Sequence, residues 1–138
     1  MEDYFDVHLE DDQIRAISSI GLAHLGDAVY ELLVRAWLCT HGRATGKGLH
    51  RAAVELVKAP AQAQRAEGIL PLLTDRELAV YKRGRNAHVH TIPHSASRSD
   101  YLKATALECL LGDLYLRGER ERINELFAKM MEEETYAT

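Results

Sequence analysis

Apolar residues recur at three- and four-residue spacing along most of this chain, which is the pattern of helices that bury one face. The pattern is clearest after Ser18 and Ser19, either of which can cap a helix that ends at about residues 40–42. The apolar positions of this helix are Leu22, Leu25, Val29, Leu32, Leu33, Ala36 and Trp37. No strand-like alternation competes with this spacing, so the sequence predicts an all-α helical bundle.

Capping and breaking residues divide the rest of the chain into further helices. Pro60 can open one helix, and Thr74 with Glu77 has the spacing of a capping box, which predicts a helix that reaches about residue 85. Gly118 is suited to stop a long helix that precedes it. The other expected segments are a helix at about 47–57, a polar loop at 86–97, a helix from 99 or 100 to 117 and a helix at about 119–133.

The length and composition fit one domain. The chain has 138 residues, of which 46% are hydrophobic, so we expect one domain over 1–138, with an acidic N-terminal segment at 1–17 and a helical core at 18–134. The first twelve residues hold six acids and no Lys or Arg, which argues against a secretory or transit peptide, and no apolar run has the length of a membrane span. Cys39 and Cys109 have neither disulfide nor zinc-site spacing, so we expect a soluble protein of the reducing cytoplasm.

The net charge of −4 hides a basic middle. Residues 43–66 contain five bases and one acid, and residues 78–99 contain four bases and no acid. Such a local excess on an acidic protein predicts a positive face for a polyanion. For either segment taken alone, an ordinary solvated surface is the simpler explanation.

Two carboxylates interrupt otherwise apolar helical stretches, Asp27 within residues 25–31 and Glu108 within residues 105–112. A buried carboxylate without a partner is costly, so we expect both to meet a cation or a hydrogen-bond donor. Small neighbours would let the two helices approach closely and bring both acids to one ion; they are Gly26, Ala104, Thr105 and Gly112. Oxygen ligands of this kind favour Mg²⁺ or Mn²⁺. The alternative is that each carboxylate satisfies a helix end or an arginine.

Four short blocks, in order along the chain, resemble the ribonuclease III family. Residues 25–29 (LGDAV) resemble the core of its signature, and residues 108–112 (ECLLG) resemble its second acidic helix. Residues 81–87 (YKRGRNA) and 104–108 (ATALE) narrow the resemblance to the Mini-III ribonucleases, which are similar to a ribonuclease III catalytic domain without a double-stranded-RNA-binding domain. The resemblance covers roughly residues 20–126 and implies a ribonuclease III-like endonuclease domain.

The chain also departs from the larger ribonuclease III enzymes at two positions. Those enzymes carry a Glu where this chain has Ala23 and an Asp where it has Thr105. The resemblance implies that Mini-III proteins share both replacements, so the nuclease interpretation stands. Two carboxylates with waters suit one metal ion better than two.

The resemblance implies Mg²⁺-dependent hydrolysis of a phosphodiester within double-stranded RNA, with Asp27 and Glu108 as the catalytic metal ligands and Mn²⁺ as a substitute ion. It further implies a homodimer and a role in maturing the large-subunit ribosomal RNA precursor. Because we expect no duplex-binding module in this chain, a ribosomal protein or another RNA partner is expected to present the substrate. The alternative is a catalytically silent RNA-binding or ribosome-assembly protein on the same scaffold. Retention of both acids favours the enzyme.

Recognition of A-form RNA is expected to depend mostly on shape, because its shallow minor groove presents 2′-hydroxyls and phosphates. The expected backbone contacts are Lys82, Arg83, Arg85 and Asn86, with Lys47, Arg51, Gln62 and Arg65 behind them. His88, His90 and His94 lack a nearby fourth zinc ligand, so we expect them to line an RNA-facing loop. Asp113 follows Glu108 by five residues and points about 140° away around the helix, so it is expected to be a surface charge.

Overall fold

The computed structural model describes residues 1–41, 46–87 and 97–136, and within those ranges the regular structure is entirely helical. The helices are α1 (Asp11–Arg15), α2 (Ser19–Thr40), α3 (Gly46–Val57), α4 (Ala59–Ile69), α5 (Asp75–Arg85), α6 (Arg98–Leu116), α7 (Arg120–Met130) and α8 (Glu132–Tyr136), with a 3₁₀ turn at Leu70–Leu72. This confirms the predicted all-α bundle. The last predicted helix is divided into α7 and α8 at Met131.

Three of the predicted helix-terminal signals are present in the structure, and Ser18 is the residue that caps α2, whereas the cap of α6 by Ser97 was not predicted. Ser18 Oγ accepts a hydrogen bond from the backbone N–H of Gly21 at 3.0 Å. Thr74 and Glu77 form a reciprocal capping box, with backbone-to-side-chain distances of 2.9 and 3.2 Å. Gly118 has a φ of 75°, a left-handed conformation that stops α6 at little steric cost. These contacts join residues only a few positions apart, which is why the sequence alone could predict them.

Helix α6 is the centre of the bundle and packs against α2, α4, α5 and α7. Its middle turns are almost fully buried, and the largest buried side chains there are Leu107, Leu110, Leu111 and Leu114. The crossing of α2 and α6 depends on two glycines. A Cβ at Gly26 would overlap the backbone carbonyl of Glu108, and a Cβ at Gly112 would overlap the carbonyl of Leu22. The predicted close approach of these two helices is therefore confirmed.

The N-terminal segment contributes to the core, although its composition is acidic. Ile14 of α1 is buried in a small apolar cluster with Leu22, Ala23, Val80 and Cys109. Ahead of α1, the Leu9 N–H donates to the carbonyl of Leu116 at 2.7 Å. Both cysteines are free thiols. No helix within the described ranges is long and apolar enough to cross a membrane.

The expectation that Asp113 is a surface charge is wrong. Its side chain is 0% exposed, and its Oδ1 accepts hydrogen bonds from Arg76 at 2.9 Å and from Arg117 at 2.8 Å. The angle around α6 correctly turns Asp113 away from Glu108. Because other helices surround α6, however, the opposite side of α6 is also protein interior, and Asp113 is stabilised there by two arginines instead of water.

A second buried ion pair joins α5 to α7. Glu77 is 2% exposed and accepts hydrogen bonds from Nε and Nη2 of Arg122, both at 2.9 Å. Burial by itself would raise the pKa of Glu77. The hydrogen bonds from Arg122 and Thr74 outweigh that effect and hold the pKa of this carboxyl below its usual value.

Candidate metal centre

The crossing of α2 and α6 brings Asp27 and Glu108 to one open pocket of about 460 Å³. The pocket is lined by Asp27, Val57, Lys58, Ala59, Pro60, Gln62, Tyr101, Ala104, Thr105 and Glu108. Both carboxylates line this pocket, and the charge of Asp27 acts on the pKa of Glu108. The structure therefore brings together the two acids that sequence analysis singled out, 81 positions apart.

The two acids differ in burial. Glu108 is half-buried, whereas Asp27 is exposed at the pocket rim, so the expectation of a buried carboxylate holds only in part and only for Glu108. Burial raises the pKa of Glu108, and the charge of Asp27 and a hydrogen bond shared with it raise it further, to about 8. A hydrogen bond from Gln62 acts in the opposite direction. At neutral pH these surroundings thus favour a proton on Glu108, because no positive group among the described residues offsets the charge of Asp27.

The alternative that each acid serves a helix end or an arginine finds no support within the described residues. No Arg or Lys there forms an ion pair with Asp27 or contributes to the pKa shift of Glu108. Lys58, the cation of the pocket lining, pairs instead with Glu55 at 2.7 Å. Two neighbouring carboxylates without a cation partner among the described residues therefore favour the binding of a positive ion.

The donor atoms fit a hard divalent ion. In the ranges that the structure covers, no group of three or more His, Cys, Asp or Glu residues could hold a metal ion, so Asp27 and Glu108 stand as a pair. Mg²⁺ is commonly held by one or two carboxylates while waters and substrate phosphates complete its coordination. An open pocket with two carboxylates on one side matches that preference.

Three residues near the two acids along α2 and α6 are neutral, and a fourth, Glu31, is paired with an arginine. Ala104 and Thr105 are buried beside Glu108, and the Thr105 hydroxyl donates to the backbone carbonyl of Tyr101 at 3.0 Å. Ala23 is also buried. Glu31 pairs with Arg35 at 2.7 Å along α2, so its carboxylate already has a cation as partner.

The sequence predicts Gln62 among the RNA contacts, but the structure places it in the pocket wall. It is 3% exposed, and its Nε2 donates to the carbonyl of Val57 at 2.7 Å and to Glu108 Oε2 at 3.3 Å. A side chain this buried offers RNA little surface. Sequence reasoning missed the contact with Glu108 because the two residues are 46 positions apart and no periodic pattern links them.

The other expected RNA contacts divide into two groups. Five of them are exposed: Lys82, Arg83 and Asn86 near the end of α5, and Lys47 and Arg51 on α3. The others are partly buried. Arg85 is half-buried. Arg65 is partly buried and pairs with Glu134 at 2.9 Å, so its charge is already directed at another part of the protein. His88, His90 and His94 lie outside the described residues.

Comparison with known proteins connects this geometry to a family. Residues 21–119 match the model of the Ribonuclease III domain family. The chain is 45% identical over 105 residues to the Mini-ribonuclease 3 of Symbiobacterium thermophilum, an alignment that covers 76% of this chain and 81% of that relative. It is 38% identical over 128 residues to the Mini-ribonuclease 3 of Thermoanaerobacter sp. (strain X514), which covers 91% of this chain and 90% of the relative.

A solved structure has the same fold. The crystal structure of protein FN1578 from Fusobacterium nucleatum superposes with a TM-score of 0.81 at 30% sequence identity, and the match covers 88% of this chain and 98% of that chain. The segment that matches the family model contains both Asp27 and Glu108.

Proposed function

Because this chain belongs to the ribonuclease III family, in its Mini-ribonuclease 3 group, we propose that it is a divalent-metal-dependent endoribonuclease that cleaves double-stranded RNA. The observation that carries the proposal is the pair of carboxylates, Asp27 and Glu108, in one open pocket without a cation partner among the described residues. A protein that only bound RNA would gain nothing from two acids at a surface meant for phosphates.

Asp27 and Glu108 would hold the ion, and Mg²⁺ is the ion that their oxygen atoms suit. The bound ion supplies Lewis-acid polarisation of the phosphodiester and activation of water. Ala104 contributes only a methyl group to the wall of this pocket. Among the described residues, the ion pair that Lys58 forms is an exposed one with Glu55. Such pairs contribute about 0–1 kcal/mol, so Lys58 can exchange Glu55 for a phosphate oxygen.

RNA binding is assigned to the exposed bases and not to the pocket wall. Lys82, Arg83 and Asn86 lie near the end of α5, and Arg85 is half-buried beside them. Lys47 and Arg51 on α3 form a second exposed basic group. Contacts of this type bind phosphates and 2′-hydroxyls without reading bases, which suits a substrate recognised by its duplex shape.

We also propose that the protein acts as a homodimer on the large-subunit ribosomal RNA precursor, aided by a ribosomal protein that presents the RNA. Exposed apolar side chains on α2 support the dimer, since Leu32 is 61% and Ile20 is 46% exposed. Paired subunits would place one metal centre on each strand of a duplex. The RNA and the protein partner are proposed on the resemblance to the Mini-III ribonucleases.

The test is cleavage of a long RNA duplex with and without Mg²⁺. Asp27→Asn and Glu108→Gln should each abolish cleavage, because each removes a carboxylate charge at nearly constant volume. The matched control is Glu31→Gln on α2, which changes an acid paired with Arg35 and should retain cleavage. Full activity of either pocket variant at equal Mg²⁺ would refute the assigned site.

The second candidate is a catalytically silent RNA-binding or assembly protein on the same scaffold. It is favoured by Ala23 and Thr105, the neutral residues at positions where the larger ribonuclease III enzymes carry acids. The same experiment decides between the two. Duplex binding without any Mg²⁺-dependent cleavage would establish the silent protein.

A further inference from the structure

Gln62 is a buried amide between three helices. It lies in the first turns of α4, its Nε2 donates to the last residue of α3, Val57, at 2.7 Å, and the same nitrogen donates to Glu108 Oε2 on α6 at 3.3 Å. Both amide protons are therefore used, one to anchor the side chain on the backbone and the other to contact a candidate metal ligand.

The orientation of this amide follows from its surroundings. The carbonyl of Val57 can only accept a hydrogen bond, so the nitrogen of Gln62 must face it. Reversing the amide would set two oxygen atoms against each other at that contact. The hydrogen bond to the Val57 carbonyl thus holds the NH₂ group toward Glu108, independently of the two carboxylates.

Glutamine has opposing effects on stability at this position. Its Oε1 is buried and has no hydrogen-bond partner within the described residues. An unpaired buried acceptor is unfavourable, and this cost partly offsets what the hydrogen bond to the Val57 carbonyl contributes to stability. The amide does, however, supply something that an apolar residue lacks, which is a donor to Glu108 that carries no charge. An arginine or lysine at this position would neutralise the carboxylates and compete with a metal ion.

We propose that Gln62 is a positioning residue for metal binding: its amide holds Glu108 in the orientation in which this carboxylate faces Asp27, so that the pair is ready for a divalent cation. The inference rests on the proposed function, since it assigns Glu108 as a ligand. Hydrogen-bond partners that orient metal ligands typically contribute about 10-fold to 100-fold to metal affinity.

The experiment measures Mn²⁺ binding to the RNA-free protein by calorimetry. Gln62→Met has nearly the volume of glutamine and removes both donated hydrogen bonds, so we expect Mn²⁺ affinity to fall about 10-fold or more. Gln64→Met is the matched control, because Gln64 is exposed on the same helix, and it should bind Mn²⁺ as the wild type does. Duplex cleavage by Gln62→Met should require more metal for half-maximal rate and should recover when metal is raised.

That recovery distinguishes a positioning role from a purely structural one. If Gln62 were purely structural, its substitution would lower both the thermal stability and the cleavage rate at saturating metal. Gln62→Asn provides a second variant that keeps an amide in the pocket wall but is one methylene too short to span from Val57 to Glu108. It should weaken Mn²⁺ binding as Gln62→Met does. Wild-type Mn²⁺ affinity in both variants would overturn the inference, as would a loss of rate that metal cannot restore.

Failure of this inference is distinguishable from failure of the proposed function. Glu108→Gln and Asp27→Asn should lose Mn²⁺ binding if the centre is assigned correctly. If these two variants lose Mn²⁺ binding but neither Gln62 substitution changes it, Gln62 has no role in the centre, whereas Asp27 and Glu108 remain its ligands. Wild-type Mn²⁺ binding in the carboxylate variants would instead remove the centre itself.

Discussion

Replacing Gly26 by alanine should test whether the metal centre depends on the close crossing of α2 and α6. A Cβ at this position would overlap the backbone carbonyl of Glu108, which cannot rotate away as a side chain could. The two helices must therefore separate locally. Inserting a methyl group into a tight contact costs about 1–3 kcal/mol or somewhat more, and an obstructing backbone favours the upper part of that range.

The intrinsic preference of helices for alanine over glycine returns about 0.5–1 kcal/mol, so the net loss for Gly26→Ala is about 2 kcal/mol. With an unfolding entropy of about 2.1 cal/mol/K per residue over 138 residues, 2 kcal/mol lowers Tm by about 7 °C. Thermal unfolding followed by circular dichroism measures this shift. The Mn²⁺ affinity of the same variant should also fall, since Asp27 and Glu108 are carried by the helices that move apart.

Gly68→Ala is the matched control. A Cβ there would meet nothing within 4 Å, so only the helix preference remains and the variant should be more stable by about 0.5–1 kcal/mol. The same chemical change is thus expected to have opposite signs at two helical glycines. A Gly26→Ala protein with wild-type Tm and Mn²⁺ affinity would refute the reasoning, because it would show that the helices do not need this contact distance.

Three further outcomes are expected. The pKa of Glu77 is held below its usual value, so the stability from its ion pair is present above about pH 4.5 and is lost as the pH falls through the lower pKa of the folded state. Urea unfolding should therefore show that the wild type loses more stability between neutral pH and about pH 3 than Glu77→Gln does. Neutralising Lys82, Arg83 and Arg85 together should weaken duplex RNA binding. It should also reduce the slope of log binding constant against log salt concentration by about 1 for each phosphate that is no longer neutralised, and an unchanged slope in filter-binding assays would contradict the assigned RNA face. Leu32→Glu should convert a dimer to monomers in sedimentation experiments without altering the helical content, and a wild-type sedimentation coefficient would place the dimer contact elsewhere.

The helical architecture and the two candidate ligands could be predicted before the structure. Ser18, the Thr74–Glu77 box and Gly118 act within one helical turn or one backbone conformation, so the order of residues is enough to identify them. The meeting of Asp27 and Glu108 was also predictable. Small residues such as Gly26 indicate where two helices can pack closely. An acid within one turn of such a residue on each helix indicates that the two carboxylates will lie near that crossing.

The surroundings of these acids could not be predicted in the same way. Helical periodicity describes one helix and its faces, whereas Asp113 is buried because other helices surround α6. Arg65 and Gln62 look like surface polar residues in a basic stretch, but one pairs with Glu134 and the other donates to Glu108. Each of those contacts joins residues far apart in the chain, and the sequence does not contain the packing that selects such partners. The sequence by itself therefore determined most of the helices, several of their caps and the pair of carboxylates, because these depend on local geometry and residue type. Only the tertiary structure decided which polar side chains support that pair and which remain available to a substrate, because burial and partner choice depend on the assembled helices.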